Sequence, residues 1–346
     1  MKIKHIHIES YKVFKNFDLD FCHSGNIQNL IVLTGKNGNG KTTLLRDVIT
    51  STKYDESLKG SYIVCDKEGE KKRYDFFSKS EMLYSTECKP FIRYSPANTF
   101  LSNPLQSLIV GYVDKYVYED GKTSFEAYNQ IRAIIDDVFF ELDLQIHFKG
   151  LDAKRNLLFE NEKGEVFGWE SLSGGEAQLL SRFFPLFADD ITNRLILIDE
   201  PEDSFHPLWQ SQIVPILRRC IDKNNCQIII ATHSPQIISS AKKDEIRVFV
   251  RDENNYVQTK TCMEGPYGWP IQKVLYEIQG AEYIRTPEVE KELSVLQDMV
   301  ENGKYNTDEF RYKLSSLEDA IGFADADLAL IRMEVIRKRK KDEAIK

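Results

Sequence analysis

No run of apolar residues in this sequence approaches the length needed to cross a membrane. The first residues, Met1 to Ile8, alternate polar and apolar side chains. This alternation predicts a strand rather than the apolar segment of a signal peptide. Both observations predict a soluble, cytoplasmic protein that has no membrane partner.

Closely spaced cysteines are missing as well. The six cysteines are scattered over 346 residues without a CxxC pair, so we expect neither a zinc site nor a disulfide framework. Positive charge is not in excess, because 46 Lys and Arg residues face 54 Asp and Glu residues and leave a net charge of −8. The chain therefore has no global field that attracts DNA or RNA, although a local basic patch is compatible with binding.

A glycine-rich stretch from Gly35 to Thr42 lies between an apolar run, Leu30 to Leu33, and a helix-like segment. This order of strand, loop and helix is the context that a phosphate-binding P-loop requires, and the alternative is a glycine loop with a purely structural role. Glycines can turn backbone N–H groups towards an anion, and the helix N-terminus adds the positive end of its dipole. The predicted ATP-binding residues of this stretch are Asn37, Gly38, Asn39, Gly40, Lys41, Thr42 and Thr43.

Specific roles are predicted for two side chains of the P-loop and for one aromatic residue upstream of it. We expect Lys41 to place its charge on the β- and γ-phosphates and Thr42 to ligate Mg²⁺. In many nucleotide sites an aromatic ring upstream of the loop stacks on adenine. Tyr11 is the predicted stacking residue, whereas Phe14 fits a stacking role and a place in the core equally well.

Two further apolar runs end in polar side chains. The run 195–198 is followed by Asp199 and Glu200, and the run 227–231 is followed by Thr232 and then His233. Continuous apolar runs are typical of buried parallel strands, and ligands bind at the carboxyl ends of such strands. We therefore predict that Asp199 holds Mg²⁺, that Glu200 deprotonates an attacking water, and that His233 contacts the γ-phosphate. The alternatives are an acidic turn and a structural histidine.

A loop of small residues, Ser171 to Glu176, precedes a helix that extends to Leu186. A loop at a helix N-terminus can bind an anion, although such a loop is also a common way to cap a helix. The residues that would contact the anion are Ser173, Gly174, Gly175 and Glu176.

The remaining segments indicate how the chain is organised. Helical spacing over 105–118 and 123–142 predicts a compact helical lid inserted between the P-loop and the Ser-Gly-Gly loop. Three more predicted helices follow Pro287. The predicted division is 1–50 for an N-terminal lobe, 51–170 for the lid, 171–265 for a second lobe and 266–346 for a helical extension.

Two charged stretches have two interpretations each. The stretch 66–73 is typical of a solvated hairpin tip, and DNA contact is the alternative. The basic stretch 337–341 complements the dipole at a helix C-terminus, and docking of nucleic acid or protein is the alternative.

In this order, the motifs resemble those of ABC-type ATPases of the non-transporter branch, which includes SMC, RecF and overcoming-lysogenisation-defect proteins. GKNGNGKT is similar to a Walker A motif, LSGGE to the ABC signature, LILIDEPE to Walker B, and Thr232-His233 to the H-loop. DEPE followed by FHP resembles the last of those groups and related defence ATPases. The C-terminal helices are similar to the tails of ATPases from Septu and retron antiphage systems, which are PtuA-like. No Q-loop glutamine is obvious, and Asn98 or Gln106 could stand in for it.

The resemblance implies an α/β fold: an ABC-type head with a mixed or parallel central sheet. It also implies ATP as substrate, Mg²⁺ as cofactor, and an active site that is completed by a second copy of the chain. Ser173, Gly174 and Gly175 of that copy would cover the γ-phosphate, and higher oligomers are compatible with this arrangement. The implied function is ATP hydrolysis that regulates a separate effector, a nuclease in antiphage defence. The alternative is a DNA-repair or chromosome-maintenance ATPase that acts directly on DNA.

Overall fold

The computed structural model describes residues 2–49, 57–65, 71–76, 91–92, 104–142, 144, 146–203, 205–261 and 264–345. Asn98 and part of the charged stretch 66–73 lie outside these residues. Contacts between residues divide the chain into two compact units, Met1–Gln279 and Gly280–Lys346. The four-part division expected from the sequence stays a prediction.

Strands and helices follow one another along the first unit, and the second unit is helical. The strands are β1 (Lys2–Tyr11), β2 (Phe14–Asp20), β3 (Cys22–His23), β4 (Asn26–Ile27), β5 (Leu30–Gly35), β6 (Lys59–Cys65), β7 (Lys71–Asp75), β8 (Phe91–Ile92), β9 (Ile146–Leu151), β10 (Leu157–Asn161), β11 (Val166–Gly168), β12 (Leu195–Asp199), β13 (Gln227–Ala231), β14 (Ile246–Arg251) and β15 (Val257–Lys260). The helices of the first unit are α1 (Lys41–Thr43, continued by a π-helical turn, Leu44–Ile49), α2 (Pro104–Asp114, continued by a π-helical turn, Lys115–Glu119), α3 (Ser124–Phe139), α4 (Gly174–Ala188), α5 (Pro207–Asn224), α6 (Pro235–Ser240) and α7 (Ile271–Glu277). The helices of the second unit are α8 (Pro287–Glu301), α9 (Asp308–Ile321) and α10 (Ala326–Ile345).

A ten-stranded mixed sheet forms the frame of the first unit, in the order β7-β6-β1-β2-β15-β14-β5-β13-β12-β8. Parallel pairing joins five strands in the order β14-β5-β13-β12-β8. Antiparallel pairing joins four strands in the order β7-β6-β1-β2. The buried apolar runs predicted from the sequence form the parallel centre, since both faces of such a strand are covered. The predicted α/β fold with a mixed central sheet is confirmed.

The sheet curls so that its first strand approaches its centre. Strand β1 stands five places from β13 in the sheet, which would separate the two strands by about 24 Å if the sheet were flat. Instead, the Gln227 amide accepts a hydrogen bond from the N–H of Ile3 at 2.7 Å and donates one to its carbonyl at 3.0 Å. Gln227 also donates to the carbonyl of Gln28 at 3.1 Å. Gln227 is fully buried, so these hydrogen bonds hold the curl closed.

Two hydrophobic cores lie on the two faces of the curled sheet. The inner core contains the P-loop helix and an aromatic cluster, in which the Phe17 ring lies 4.6 Å from Phe14 and 5.4 Å from Phe249. The outer core joins the central strands to α2, α3, α4 and α5. The P-loop strand β5 contributes to both, since Leu30 and Val32 face the outer core and Leu33 the inner one.

The segment between the P-loop and the Ser-Gly-Gly loop contributes more than a helical layer. Its strands β6 and β7 extend the central sheet beside β1, and β8 pairs with β12. The predicted helices are present as α2 and α3, which pack against α4. A three-stranded antiparallel sheet, β9 to β11, follows them.

The second unit is a helical assembly with its own core, built around Leu296 of α8 and Leu328 of α10. In the basic stretch 337–341, the Lys338 ammonium donates hydrogen bonds to the last carbonyls of α8, at 2.8 Å for Val300. Lys338 therefore stabilises a helix C-terminus inside this unit. Along the described ranges, we find no helix with the length and apolar character of a membrane span.

We predict that Gln227→Leu lowers the free energy of unfolding by about 2–4 kcal/mol, because buried backbone groups of Ile3 and Gln28 lose their partners while the volume hardly changes. Urea unfolding monitored by tryptophan fluorescence measures the difference. Gln258→Leu makes the same change at a side chain near the protein surface and should cost no more than about 0.5 kcal/mol. Equal losses in the two variants would contradict the role of Gln227.

Candidate functional site

The ends of three parallel strands meet at one edge of the sheet. The register pairs Asp199 of β12 with Ala231 of β13, and Ala231 with Leu33 of β5. Beyond the strands, the N–H of Thr232 donates to the Leu33 carbonyl at 3.0 Å, and the N–H of Glu200 donates to the Ala231 carbonyl at 2.8 Å. The structure therefore brings the P-loop, the predicted Mg²⁺ and base carboxylates and the H-loop together, as expected for the carboxyl edge of a parallel sheet.

The P-loop needs glycine where it leaves β5. Gly35 has a φ of 135°, and a Cβ atom there would lie 2.3 Å from the carbonyl oxygen of Phe249. Only glycine combines that conformation with such a close approach to a neighbouring backbone. The loop ends at Gly40, which precedes α1 in a left-handed conformation.

The hairpin of β14 and β15 braces the P-loop from the side. The Asn39 amide donates to the Phe249 carbonyl at 2.8 Å and accepts from Arg251 Nε at 3.1 Å. Arg251 also donates to the Gly38 carbonyl at 2.8 Å. The Asn39 side chain is buried and occupied by this brace, and its main-chain N–H donates to the Lys36 carbonyl at 3.3 Å. Its predicted contact with ATP stays a prediction.

The Lys41 ammonium is buried inside the loop and donates to the carbonyls of Gly35 at 2.9 Å and Lys36 at 3.3 Å. Burial lowers the Lys41 pKa to about 8, against the opposing effect of Asp199 and Glu200. The effect of burial on this cation exceeds that of the nearby carboxylates, and phosphate oxygens would add further compensating charge.

Asp199 and Thr42 provide the oxygen ligands that a Mg²⁺ ion prefers. The Thr42 side chain lowers the pKa of Asp199, whereas burial, the larger effect, raises it. Asp199 Oδ1 is buried and has no hydrogen-bond partner among the described residues. A buried carboxylate oxygen without a partner, beside a hydroxyl, fits a hard cation. The residues present therefore fit Mg²⁺, as predicted for this pair.

Glu200 stands in a strained turn directly after β12, with a φ of 47°. Arg182 of α4 donates to the main-chain carbonyls of Glu200 at 3.1 Å and Pro201 at 3.0 Å. Burial and then the neighbouring carboxylates, Asp203 first and Asp199 next, raise the Glu200 pKa. A raised pKa suits a general base, because it makes the carboxylate a better proton acceptor.

The local sequence pattern predicts no role for Glu202, but the structure gives it one. Its Oε1 atom accepts three hydrogen bonds, from the Thr232 hydroxyl at 2.7 Å and the N–H groups of His233 at 2.7 Å and Ser234 at 3.0 Å. Its Oε2 atom is buried, and no described residue bonds to it. Burial is the main cause that raises the Glu202 pKa. The signal in the sequence was a third carboxylate in the turn after β12.

His233 lies at the end of β13, where the sequence predicted it. Its pKa is lowered by burial and then by the charge of Lys41. Its carbonyl accepts a hydrogen bond from Gln279 Nε2 at 2.6 Å. The site thus includes a residue that follows α7, far along the chain.

The Ser-Gly-Gly loop forms the N-cap of α4. The Ser173 hydroxyl accepts from the N–H of Glu176 at 3.2 Å, and the Glu176 carboxylate accepts from the N–H of Ser173 at 2.6 Å. Glu176 is therefore occupied as a capping residue, which corrects its predicted role in the nucleotide contact. Gly175 packs against Trp209, where a Cβ atom would lie 2.7 Å from the ring. Ser173 and Gly174 are exposed to solvent.

Both aromatic residues that were candidates for adenine stacking lie in the core. Tyr11 is only 4% exposed and belongs to the inner core, so its ring has no free face on which adenine could stack. Strict alternation from the buried Ile8 would turn Tyr11 outward, but the register shift between Ile8 and Ser10 turns it inward. Phe14, for which stacking and packing were equally possible, is also a core residue.

The candidate Q-loop residue Gln106 is turned away from the site. Its amide donates to the carbonyl of Arg155 at 3.4 Å and to the Asn156 side chain at 3.3 Å, in the loop between β9 and β10. Gln106 therefore does not replace a Q-loop glutamine in this structure, and the other candidate, Asn98, lies outside the described residues.

The fold and the glycine-rich loop are similar to those of nucleotide-binding P-loop ATPases. The family described as "AAA domain, putative AbiEii toxin, Type IV TA system" matches residues 95–239. A solved structure, "Crystal structure of the SmcHead bound to the C-winged helix domain of ScpA", covers 76% of this chain and 98% of its own, with a TM-score of 0.50 and 12% identity. At that identity the likeness shows the fold.

Two curated relatives are similar in sequence. The "Septu protein PtuA" of Bacillus thuringiensis is 27% identical over 168 residues, which are 44% of this chain and 42% of the relative. The "Retron Ec83 probable ATPase" of Escherichia coli is 24% identical over 152 residues, 43% of this chain and 26% of the relative. The chain thus spans less than half the length of the curated relatives that it matches.

We predict that Glu202→Ala lowers the free energy of unfolding by about 2–4 kcal/mol, since the Thr232 hydroxyl and two N–H groups lose their acceptor. Glu202→Gln keeps an acceptor oxygen and should lose less. Because burial raises the folded-state pKa of Glu202, the folded protein binds this proton more tightly than the unfolded chain. Wild-type stability should therefore fall relative to Glu202→Gln as pH rises above about 4.5.

Urea unfolding at pH 4, 6 and 8 measures both effects. Glu253→Ala and Glu253→Gln, in the exposed turn between β14 and β15, serve as controls and should stay within about 0.5 kcal/mol of wild type at every pH. A Glu202→Ala variant as stable as the Glu253 controls would contradict the bridging role.

Proposed function

We propose that this chain hydrolyses ATP in a sandwich of two copies and that the cycle of closure and opening controls a separate effector. The observation that carries the proposal is the meeting of Lys41, Asp199, Glu200 and His233 at one sheet edge, while Ser173 is exposed at a helix N-terminus. A twofold contact would bring the exposed N-terminus of each copy to the P-loop of the other.

Different side chains of the site have different roles in phosphoryl transfer to water. Thr42 and Asp199 would hold Mg²⁺, which, when bound, neutralises charge on the phosphates. Glu200 accepts the proton of the attacking water, for which its raised pKa prepares it. Lys41 and His233 face the charge that develops on the transferred group. The N–H groups at the start of α4 of the second copy complete the enclosure.

The relatives and the fold support two candidate functions. Similarity to a Septu protein and to a retron ATPase supports a role in antiphage defence beside a separate nuclease. The SMC-type fold supports the second candidate, an ATPase that acts directly on DNA or RNA. DNA that stimulates hydrolysis by the purified chain, with strong salt dependence, would favour the second candidate. Purification of the native protein together with a nuclease would favour the first.

We predict that two inactive variants restore activity when mixed. Lys41→Ala removes the phosphate-binding lysine, and Ser173→Arg blocks the surface that faces the other copy. A mixed dimer contains one site in which both elements are intact, and random mixing makes half of the dimers mixed. Up to about a quarter of wild-type ATPase activity should therefore return.

Phosphate release from refolded equimolar mixtures measures this recovery. Each variant alone, refolded in the same way, should remain inactive, and Ser173→Arg should still bind labelled ATP as a monomer. Hydrolysis at the wild-type rate by Ser173→Arg alone would rule out the composite site.

We predict that Glu200→Gln binds ATP but loses turnover by at least about 100-fold, because the amide cannot accept the proton. The bound ATP should then favour the closed dimer, detected as a doubled mass by light scattering with ATP and as a monomer mass without nucleotide. Glu253→Gln is the matched control and should behave as wild type. Normal hydrolysis by Glu200→Gln would contradict the assignment of the base.

A further inference from the structure

The peptide units on either side of His233 are held by side chains from two distant segments. The N–H of His233 donates to Glu202 Oε1 at 2.7 Å, and its carbonyl accepts from Gln279 Nε2 at 2.6 Å. Glu202 belongs to the turn after β12, and Gln279 follows α7. Both hydrogen bonds are partly shielded from solvent, so each is stronger than an exposed one.

Holding both groups fixes the direction of the Cα–Cβ bond from which the imidazole projects. The N–H belongs to the peptide that precedes His233 and the carbonyl to the peptide that follows it, so together they limit rotation about the two backbone dihedrals of this residue. Reacting groups in an active site tolerate errors of well under 1 Å, and a misplacement of 1 Å can cost a factor of about 100 in rate. Loss of the Gln279 hydrogen bond would leave His233 held from one side.

Gln279 also occupies a particular place in the chain. It is the last residue of the first unit, and the second unit begins at Gly280. The N–H of Gln279 donates to the Val274 carbonyl at 3.2 Å, which fixes its main chain to α7. Gly280 then has a φ of 64°, a left-handed conformation that sets the course of the chain as it leaves. A movement of the chain at this junction acts directly on the residue that holds the His233 carbonyl.

We propose that Gln279 is a positioning residue for His233 and couples the junction with the C-terminal helical unit to ATP hydrolysis. The inference rests on the proposed function, since it concerns the same site. A macromolecular partner that displaces the junction at Gly280 changes the rate of hydrolysis without touching the P-loop. Nucleotide affinity, which depends on Lys41 and the loop backbone, stays unchanged.

The first test replaces the amide by a carboxylate of the same shape. Gln279→Glu removes the N–H donor and turns an acceptor towards the His233 carbonyl. We expect kcat to fall by about 10- to 100-fold while KM and the affinity for labelled ATP change less than about threefold. Gln279→Lys restores a donor and should recover most of kcat. The matched control is Gln258→Glu on β15, whose amide donates to the Lys15 carbonyl at 3.5 Å.

A second readout does not depend on hydrolysis. In nucleotide-free protein, the imidazole NMR signals of His233, assigned by their loss in His233→Asn, should shift in Gln279→Glu and remain in place in Gln258→Glu. Thermal unfolding of the two Glu variants should show that each is fully folded at the assay temperature, so that a loss of kcat is not caused by unfolding.

The third test moves the junction and leaves Gln279 in place. Gly280→Val forces a β-branched residue into a left-handed conformation and should displace the chain there. Gly303→Val, in the turn after α8, is the control, since Gly303 has a φ of 73° and open space around it. We expect the loss of kcat with Gly280→Val alone.

The outcomes separate the two levels of the proposal. If the wild-type chain hydrolyses ATP but Gln279→Glu matches Gln258→Glu in kcat and in the His233 signals, the positioning role is wrong and the proposed function stands. If Gly280→Val matches Gly303→Val, the coupling to the junction is wrong. A wild-type chain that binds but never hydrolyses ATP would count against the proposed function itself.

Discussion

The parallel pairing of β5, β13 and β12 is the constraint on which the site depends, because it brings three strand ends to one edge of the sheet. Burial disfavours the charged form of each titratable group gathered there. Burial lowers the pKa of Lys41 to about 8 and raises the pKa of Asp199, Glu200 and Glu202. Every one of these charges is therefore less stable in the nucleotide-free protein than in water, and phosphates with a divalent cation would compensate them together.

A site of uncompensated charges needs a rigid frame, and long-range polar contacts provide it. Arg251 fixes the P-loop from the β14–β15 hairpin, and Gln227 closes the curl of the sheet behind it. Gln227 is buried whereas Arg251 is exposed, and both satisfy backbone groups that would otherwise lack these partners. The same contacts explain why Asn39 belongs to the frame and not to the set of side chains that face the nucleotide.

The local pattern of the sequence was sufficient for the parallel strands and for the polar residues that end them, because apolar runs and the residues after them are adjacent in the chain. The pattern could not assign Tyr11, since an aromatic residue at the end of β1 turns inward or outward according to the register of a curled sheet. It gave no role to Glu202, Arg182 or Gln279 for a related reason. Each of the three acts on backbone groups 18 to 46 residues away in sequence, and such contacts leave no local pattern.

Those three residues converge on the short turn after β12 and on the H-loop beside it. Arg182 connects the helix that begins with the Ser-Gly-Gly loop to the carbonyl of Glu200, and Glu202 connects the same turn to His233. A non-glycine residue at a φ of 47° persists only where its surroundings hold it. The turn is therefore held by hydrogen bonds from outside. A shift of α4 acts on Glu200 through Arg182, and a shift of the residues near Gln279 acts on His233.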